Sequence, residues 1–178
     1  LTHPAVMGYT FAMGCIFGAF LAYLSASQTI FSVYYDMAEW FPYIFAILAF
    51  SIGLASYFNG KMVMRFGMRK LCRFALKGVN IFALVYVGLL YAYDGLPPIA
   101  FTVSVMFIGF FFVGILFGNL NAMAMQPLGD MAGLGAAIIR SFSSLFSVPI
   151  ALFVDSFLSG TLMPIGLGFL IFFALAYV

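Results

Sequence analysis

Apolar residues occupy six long runs of this chain, and short polar segments separate the runs. A helix that crosses a bilayer needs about 20 mostly apolar residues, and each run has roughly that length. The pattern therefore predicts an all-α polytopic membrane protein, a six-transmembrane-helix bundle over residues 1–178. The predicted spans are 5–28, 40–59, 71–93, 99–125, 131–157 and 162–178.

The composition also favours a protein that faces lipid over much of its surface. Hydrophobic residues make up 66% of the chain and charged residues 7%, whereas soluble domains carry about 25% charged residues. No nucleophile elbow, HExxH, phosphate-binding loop or paired carboxylates point to an enzyme. Cys15 and Cys72 lie at different predicted depths without a CxxC pattern or a histidine neighbour. We therefore expect no disulfide, no metal site and no cofactor.

The basic residues are concentrated near the connection between the second and third spans. Six of the seven lie between Lys61 and Lys77. Short cytoplasmic loops collect Lys and Arg, so we expect this connection and both ends of the chain to be cytoplasmic. The outer connections then carry Asp36, Glu39 and Asp94 without a basic residue. Because the basic residues join two spans and do not cover a folded domain, we expect no nucleic-acid partner.

Arg140 is a charged residue within the predicted fifth span, about 15 Å from Asp130 along a helix. Two interpretations stay open. Arg140 is either a fixed positive charge in a central cavity, or a side chain that reaches the interface or joins two helices through backbone carbonyls. We expect Asp155 near the outer interface. At helical spacing, small and polar residues share the face of Arg140, namely Gly133, Ala137, Ser144, Ser147, Ala151 and Asp155.

Polar side chains also mark the end of the first span. Tyr23 and Ser27 are four residues apart and share a helix face, and Gln28 flanks it. These residues either line a cavity or form an ordinary polar exit from the membrane. Phe111 belongs to a row of Phe residues in the fourth span, a pattern more typical of packed or lipid-facing positions than of a drug site.

The segment from Gly60 to Lys70 resembles the loop motif of the major facilitator superfamily. That motif has a Gly, then Asp-Arg four residues on, then Gly and basic residues. The matching residues here are Gly60, Arg65, Gly67, Arg69 and Lys70, and Met64 stands in place of the Asp. Such a replacement is common in the copy of the motif between helices eight and nine.

Two further segments resemble drug:proton antiporters of the Bcr/CflA type in that superfamily, namely 118–133 (GNLNAMAMQPLGDMAG) and 20–25 (FLAYLS). The resemblance covers nearly all of the chain as helices seven to twelve. It implies the C-terminal half of a transporter whose N-terminal six-helix half lies outside this sequence. The first, second, fourth and fifth helices of such a half border the substrate cavity. The resemblance therefore implies the cavity candidates Tyr23, Ser27, Gln28, Phe111, Arg140 and Ser144.

The resemblance implies proton-coupled efflux of amphipathic drugs or related small molecules by alternating access. The expected location is a bacterial inner membrane. The expected partners are the lipid bilayer, a small-molecule substrate, protons and the N-terminal half. One alternative is an importer of an anionic metabolite with the same fold, in which Arg140 is the counter-charge. An alternative of another class is a non-transporting membrane scaffold or sensor.

Overall fold

The computed structural model describes residues 4–126 and 132–177. These residues form helices without a strand, which confirms the predicted all-α membrane bundle. Five helices are long and apolar enough to cross a membrane within the described ranges, and the sixth is a shorter apolar helix. The helices are α1 (Pro4–Thr29), α2 (Phe41–Phe66), α3 (Met68–Ala92), α4 (Ile99–Met125), α5 (Ala132–Asp155) and α6 (Met163–Leu175). At 13 residues, α6 is about 20 Å long, shorter than the roughly 30 Å of hydrocarbon.

The basic connection between α2 and α3 is helical except for one residue. Helix α2 continues to Phe66, beyond the predicted end of its span, and α3 begins at Met68. Gly67 separates them with φ +79° and ψ 153°, a conformation that favours glycine. The Lys, Arg and Met residues on both sides are good helix formers. The charged residues therefore lie toward the adjoining ends of α2 and α3. The segment that resembles the loop motif is helical on both sides of a break at Gly67.

The chain continues past α1 through one π-helical turn, Ile30–Tyr34, in which Ile30 and Phe31 are buried. Tyr34 and Tyr35 form hydrogen bonds to other segments at this end of the bundle. The Tyr35 hydroxyl lies 2.8 Å from the Pro97 carbonyl and 2.6 Å from the Thr102 hydroxyl. The Tyr34 hydroxyl accepts a 3.0 Å hydrogen bond from the Gly160 amide. The helical turn after Gln28 therefore extends the first element beyond residue 28, where the predicted span ends.

Close packing holds α1 against α5. A Cβ atom on Gly14 would lie 2.9 Å from Phe146 Cβ, and one on Gly18 would lie 2.8 Å from Ile150 Cβ. Both distances are shorter than real Cβ contacts, so the two glycines let the helix backbones approach. Helix α4 packs against α1, α2 and α3, while α6 packs against α1 and α3. The groove described below lies where α1, α4 and α5 meet.

Polar side chains join helices inside the bundle. Asn119 of α4 donates hydrogen bonds to Asn59 Oδ1 of α2 at 2.5 Å and to the Ile115 carbonyl at 2.9 Å. The Ser51 hydroxyl of α2 donates to the Phe107 carbonyl of α4 at 2.5 Å. Such bonds between membrane helices are worth roughly 0.6 kcal/mol on average. They fix the depth at which α2 and α4 pack.

Candidate functional site

Arg140 and Ser144 line one groove between α1, α4 and α5. They are four residues apart on α5, and both side chains are exposed in the six-helix chain. The groove has a volume of about 510 Å³, within the range of small-molecule sites, about 300–1,000 Å³. Its other lining residues are Met13, Phe17, Phe117, Gly118, Asn121 and Ser143.

The groove combines an apolar wall with a positive charge. Phe17 and Phe117 meet edge to face, with ring centroids 5.8 Å apart. Arg140 supplies the charge, and no carboxylate is among the described residues that line the groove. Asn121 also lines the groove, and its Oδ1 is buried without a hydrogen-bond donor in the described part of the chain. This arrangement suits an amphipathic ligand that carries an apolar body and a polar or anionic group.

Tyr23 lies in a separate, small cleft between α1, α2 and α4. The cleft measures about 40 Å³, and Phe20, Leu48 and Phe110 are among its other lining residues. The Tyr23 ring is buried 4.8 Å from the Phe110 ring. Its hydroxyl is buried and has no hydrogen-bond partner among residues 4–126 and 132–177. An unpartnered buried hydroxyl costs about 1–3 kcal/mol, and the Tyr86 hydroxyl is buried in the same way.

Aromatic rings connect the Tyr23 cleft to the Arg140 groove. Phe20 contacts Phe117 of the groove at 5.8 Å between centroids, and it contacts Phe110 of the cleft at 5.1 Å. The contacts run from Phe17 through Phe117, Phe20 and Phe110 to Tyr23. A row of aromatic contacts, buried at Phe20, Phe110 and Tyr23, therefore connects α1 and α4 between the groove and the cleft.

The other cavity candidates do not join this row of aromatic contacts. Ser27 is buried, and its hydroxyl donates to the Leu24 carbonyl of its own helix at 2.8 Å. Gln28 is exposed at the end of α1. Phe111 is half-buried and packs with Phe58 and Phe112, at centroid distances of 6.2 and 6.0 Å. The structure brings Arg140 and Ser144 together and leaves Ser27, Gln28 and Phe111 apart from them.

The small and polar face of α5 divides along its length. Ser147 and Ala151 are buried, whereas Arg140 and Ser144 are exposed at the groove. The neighbouring Ser143 is buried, and its hydroxyl donates to the Thr10 carbonyl of α1 at 3.4 Å. Helix α5 therefore uses part of this face to pack on α1 and part to line the groove.

Several groove residues carried no signal in the sequence. Phe17 and Phe117 lie in helices in which Phe is frequent, and Asn121 is one of two neighbouring Asn residues. Ser143 lies one position before the predicted stripe residue Ser144. Their shared location depends on which faces of α1, α4 and α5 meet. Periodicity within one helix does not contain that information.

The residues that match the loop motif lie in different environments. Gly60 lies inside α2, and a Cβ there would have nothing within 4 Å. The Arg65 guanidinium lies 5.3 Å from the centroid of the Phe66 ring. Gly67 forms the break between helices. Arg69 lines a cavity at the start of α3, and Lys70 lines a different groove, beside Met62, Phe66, Leu71 and Phe74.

Metal-ligating side chains do not cluster in the described ranges. No three His, Cys, Asp or Glu residues lie together there. Cys15 and Cys72 are both buried and free, so they do not form a disulfide with each other.

Comparison with known proteins gives one informative similarity. The chain is 28% identical over 141 residues to a "Bicyclomycin resistance protein homolog" from Haemophilus influenzae. The match covers 76% of this chain and 34% of that protein, so the chain spans about a third of the relative's length. No protein-family model and no solved structure matches the chain. The similarity and the apolar helices together support a role in membrane transport.

Proposed function

We propose that this chain is the C-terminal six-helix half of a major facilitator transporter of the Bcr/CflA type. In this proposal, the whole protein exports amphipathic small molecules in exchange for protons by alternating access. It resides in a bacterial inner membrane, and both ends of this segment are cytoplasmic. Its partners are lipid, substrate, protons and the N-terminal six-helix half.

The groove that contains Arg140 is the observation that carries this proposal. It joins a guanidinium, the Ser144 hydroxyl and an aromatic wall in about 510 Å³. Apolar walls that contain Phe and Met adapt to varied ligands because these side chains can repack. The similarity to a bicyclomycin resistance protein homolog supports drug-like substrates.

The exposed helix faces support the proposal of a second half. The most apolar windows of α2 and α5 are only 22% and 28% buried, compared with 61% in the first span. In transporters with two halves, rocking of one bundle against the other alternates access to a site at their interface. We therefore assign parts of α2 and α5 to contact with the N-terminal half and the remainder to lipid.

Substrate-driven proton flux in proteoliposomes tests the proposal. The full-length protein is reconstituted into vesicles. A substrate gradient directed out of the vesicles is set up with bicyclomycin, with a cationic amphiphile or with an anionic amphiphile. The pH inside the vesicles is followed with a dye. We expect Arg140→Gln to lower flux for anionic or carbonyl-bearing substrates at least about tenfold, because one charge-assisted contact is lost. Lys77→Gln removes one charge outside the groove and serves as the matched control.

The outcomes separate the possible functions. Uptake of anionic metabolites that is lost in Arg140→Gln would favour the importer. The lack of a carboxylate among the described residues that line the groove also supports this alternative. A full-length protein that moves neither substrates nor protons would favour a scaffold or sensor. Unchanged flux for every substrate in Arg140→Gln would remove Arg140 from the substrate site.

A further inference from the structure

A second cavity opens at the end of the bundle that carries the basic residues. It has a volume of about 400 Å³ and lies between the starts of α1 and α3 and the ends of α4 and α6. It shares no lining residue with the Arg140 groove. Arg69 and Arg73 both line it, together with Tyr9, Cys72, Leu76 and Met123.

The two arginines lie close enough on α3 for their positive charges to repel each other. They are four residues apart on α3, so they share one face, and like charges at this spacing are destabilising. Arg69 also lies in the first turn of α3, where the helix dipole disfavours a cation. A bound anion would relieve both unfavourable terms.

Acidic side chains of the described residues do not supply that anion. Asp36, Glu39 and Asp94 lie in the connections at the opposite end of the helices, and Asp155 ends α5 there. Asp130 lies outside the described residues. Among the described residues, therefore, no carboxylate lines the cavity beside Arg69 and Arg73.

Apolar side chains extend the cavity beyond the charged residues. Leu76 lies three residues beyond Arg73 toward the middle of α3. Leu120 and Met123 of α4 line the same cavity and are buried. Paired guanidinium groups bind phosphate oxygens well, and basic pockets between helices at this side of a membrane bind anionic lipid head groups.

We propose that this cavity binds the phosphate of an anionic phospholipid, with Arg69 and Arg73 on the phosphate and an acyl chain along Leu76, Leu120 and Met123. The ligand shares its phosphate chemistry with free inorganic phosphate. The apolar part of the cavity favours the lipid, because free phosphate has no group to occupy it. The site is independent of the substrate groove.

Lipid binding to the full-length protein tests the site. The delipidated protein in detergent is titrated with phosphatidylglycerol and with phosphatidylcholine, and bound lipids are counted by native mass spectrometry. A basic residue near the membrane surface contributes about fivefold in affinity. We expect Arg69→Gln/Arg73→Gln to weaken the tightest phosphatidylglycerol site roughly 25-fold.

Two further variants separate the site from general charge effects and from misfolding. Lys70→Gln/Lys77→Gln removes the same charge from α3 at residues that do not line this cavity. It removes no contact to the bound phosphate and should therefore weaken binding several-fold less than Arg69→Gln/Arg73→Gln. Gly8→Leu keeps both arginines and fills part of the cavity, because a Cβ on Gly8 meets nothing within 4 Å. It should weaken phosphatidylglycerol binding while the protein keeps its elution volume and melting temperature.

Three results would overturn the proposal. The first is equal phosphatidylglycerol binding by the wild type and the Arg69/Arg73 variant. The second is an equal loss in both double variants, which would indicate an unspecific charge effect. The third is displacement of the lipid by millimolar inorganic phosphate, which would assign the cavity to free phosphate.

Discussion

The Ser25 hydroxyl of α1 donates a 2.6 Å hydrogen bond to Oδ2 of Asp155, the last residue of α5. The other carboxylate oxygen of Asp155 is buried and meets no donor among the described residues. Asp155 is half-buried, whereas Asp36, Glu39 and Asp94 are exposed. This bond ties the ends of two helices whose middle parts form the Arg140 groove.

Loss of the Ser25 hydroxyl should loosen α1 from α5. We expect Ser25→Ala to lower the free energy of unfolding by about 1 kcal/mol, because the carboxylate loses its donor. Thermal unfolding of the purified protein in detergent measures the change. Ser156→Ala is the control, since its hydroxyl bonds only the Phe153 carbonyl of the same segment at 2.7 Å. Equal effects of the two variants would show that the bond between helices contributes nothing.

The pair Asn59 and Asn119 should be energetically coupled. Each single Ala variant breaks the 2.5 Å bond between α2 and α4 and should cost about 0.5–2 kcal/mol. The double variant should cost less than the sum of the two, with a coupling energy of about 0.6 kcal/mol. Unfolding of all four proteins in a denaturing detergent gives the double-mutant cycle. Strict additivity would contradict the coupling.

Alanine at Gly14 or Gly18 should separate α1 from α5. The new methyl group would lie under 3 Å from Phe146 or Ile150, and overpacking of this kind costs about 1–3 kcal/mol. Gly8→Ala, on the same helix with nothing within 4 Å, should be neutral or stabilising by up to about 1 kcal/mol. Melting temperatures of the three variants in one detergent make the comparison. A destabilised Gly8→Ala with an unaffected Gly18→Ala would refute the packing argument.

Tyr23→Phe and Tyr86→Phe should differ in transport and not in stability. Both hydroxyls are buried without a partner among the described residues, so their removal should leave stability unchanged or raise it by about 1 kcal/mol. Tyr23 contacts Phe20, which contacts Phe117 of the groove. Tyr86 is further from the groove, because it reaches Tyr23 only through Phe169 and Phe110. We therefore expect only Tyr23→Phe to lower substrate flux in proteoliposomes. Equal flux in both variants would remove Tyr23 from the site.

The helices followed from the sequence because each is encoded by local hydrophobicity. The predicted fourth span and α4 agree at both ends, 99–125. The second differs, since α2 runs to Phe66. Charged residues end the hydrocarbon-compatible run, but Lys and Arg do not end a helix. The backbone stops only at Gly67, where φ is positive.

The candidate site followed from the sequence only in part. Arg140 was identifiable because a charge within an apolar span is costly and therefore rare. Its neighbours Phe17 and Phe117 were not, because Phe occurs throughout the chain. Phe111 also belongs to α4, but its position on that helix turns it toward Phe58 and Phe112. Which Phe residues reach the groove depends on the rotation of α4 about its own axis.

The sequence by itself determined the all-α class, the apolar character of the helices and the end of the bundle that holds the basic residues. These properties depend on the solubility of each segment, which its own composition sets. Only the tertiary structure decided that Arg140 meets an aromatic wall, and that Arg69 and Arg73 share a cavity with α4 and α6. Such neighbours depend on small residues such as Gly14 and Gly18, which set how closely and at what rotation the helices pack.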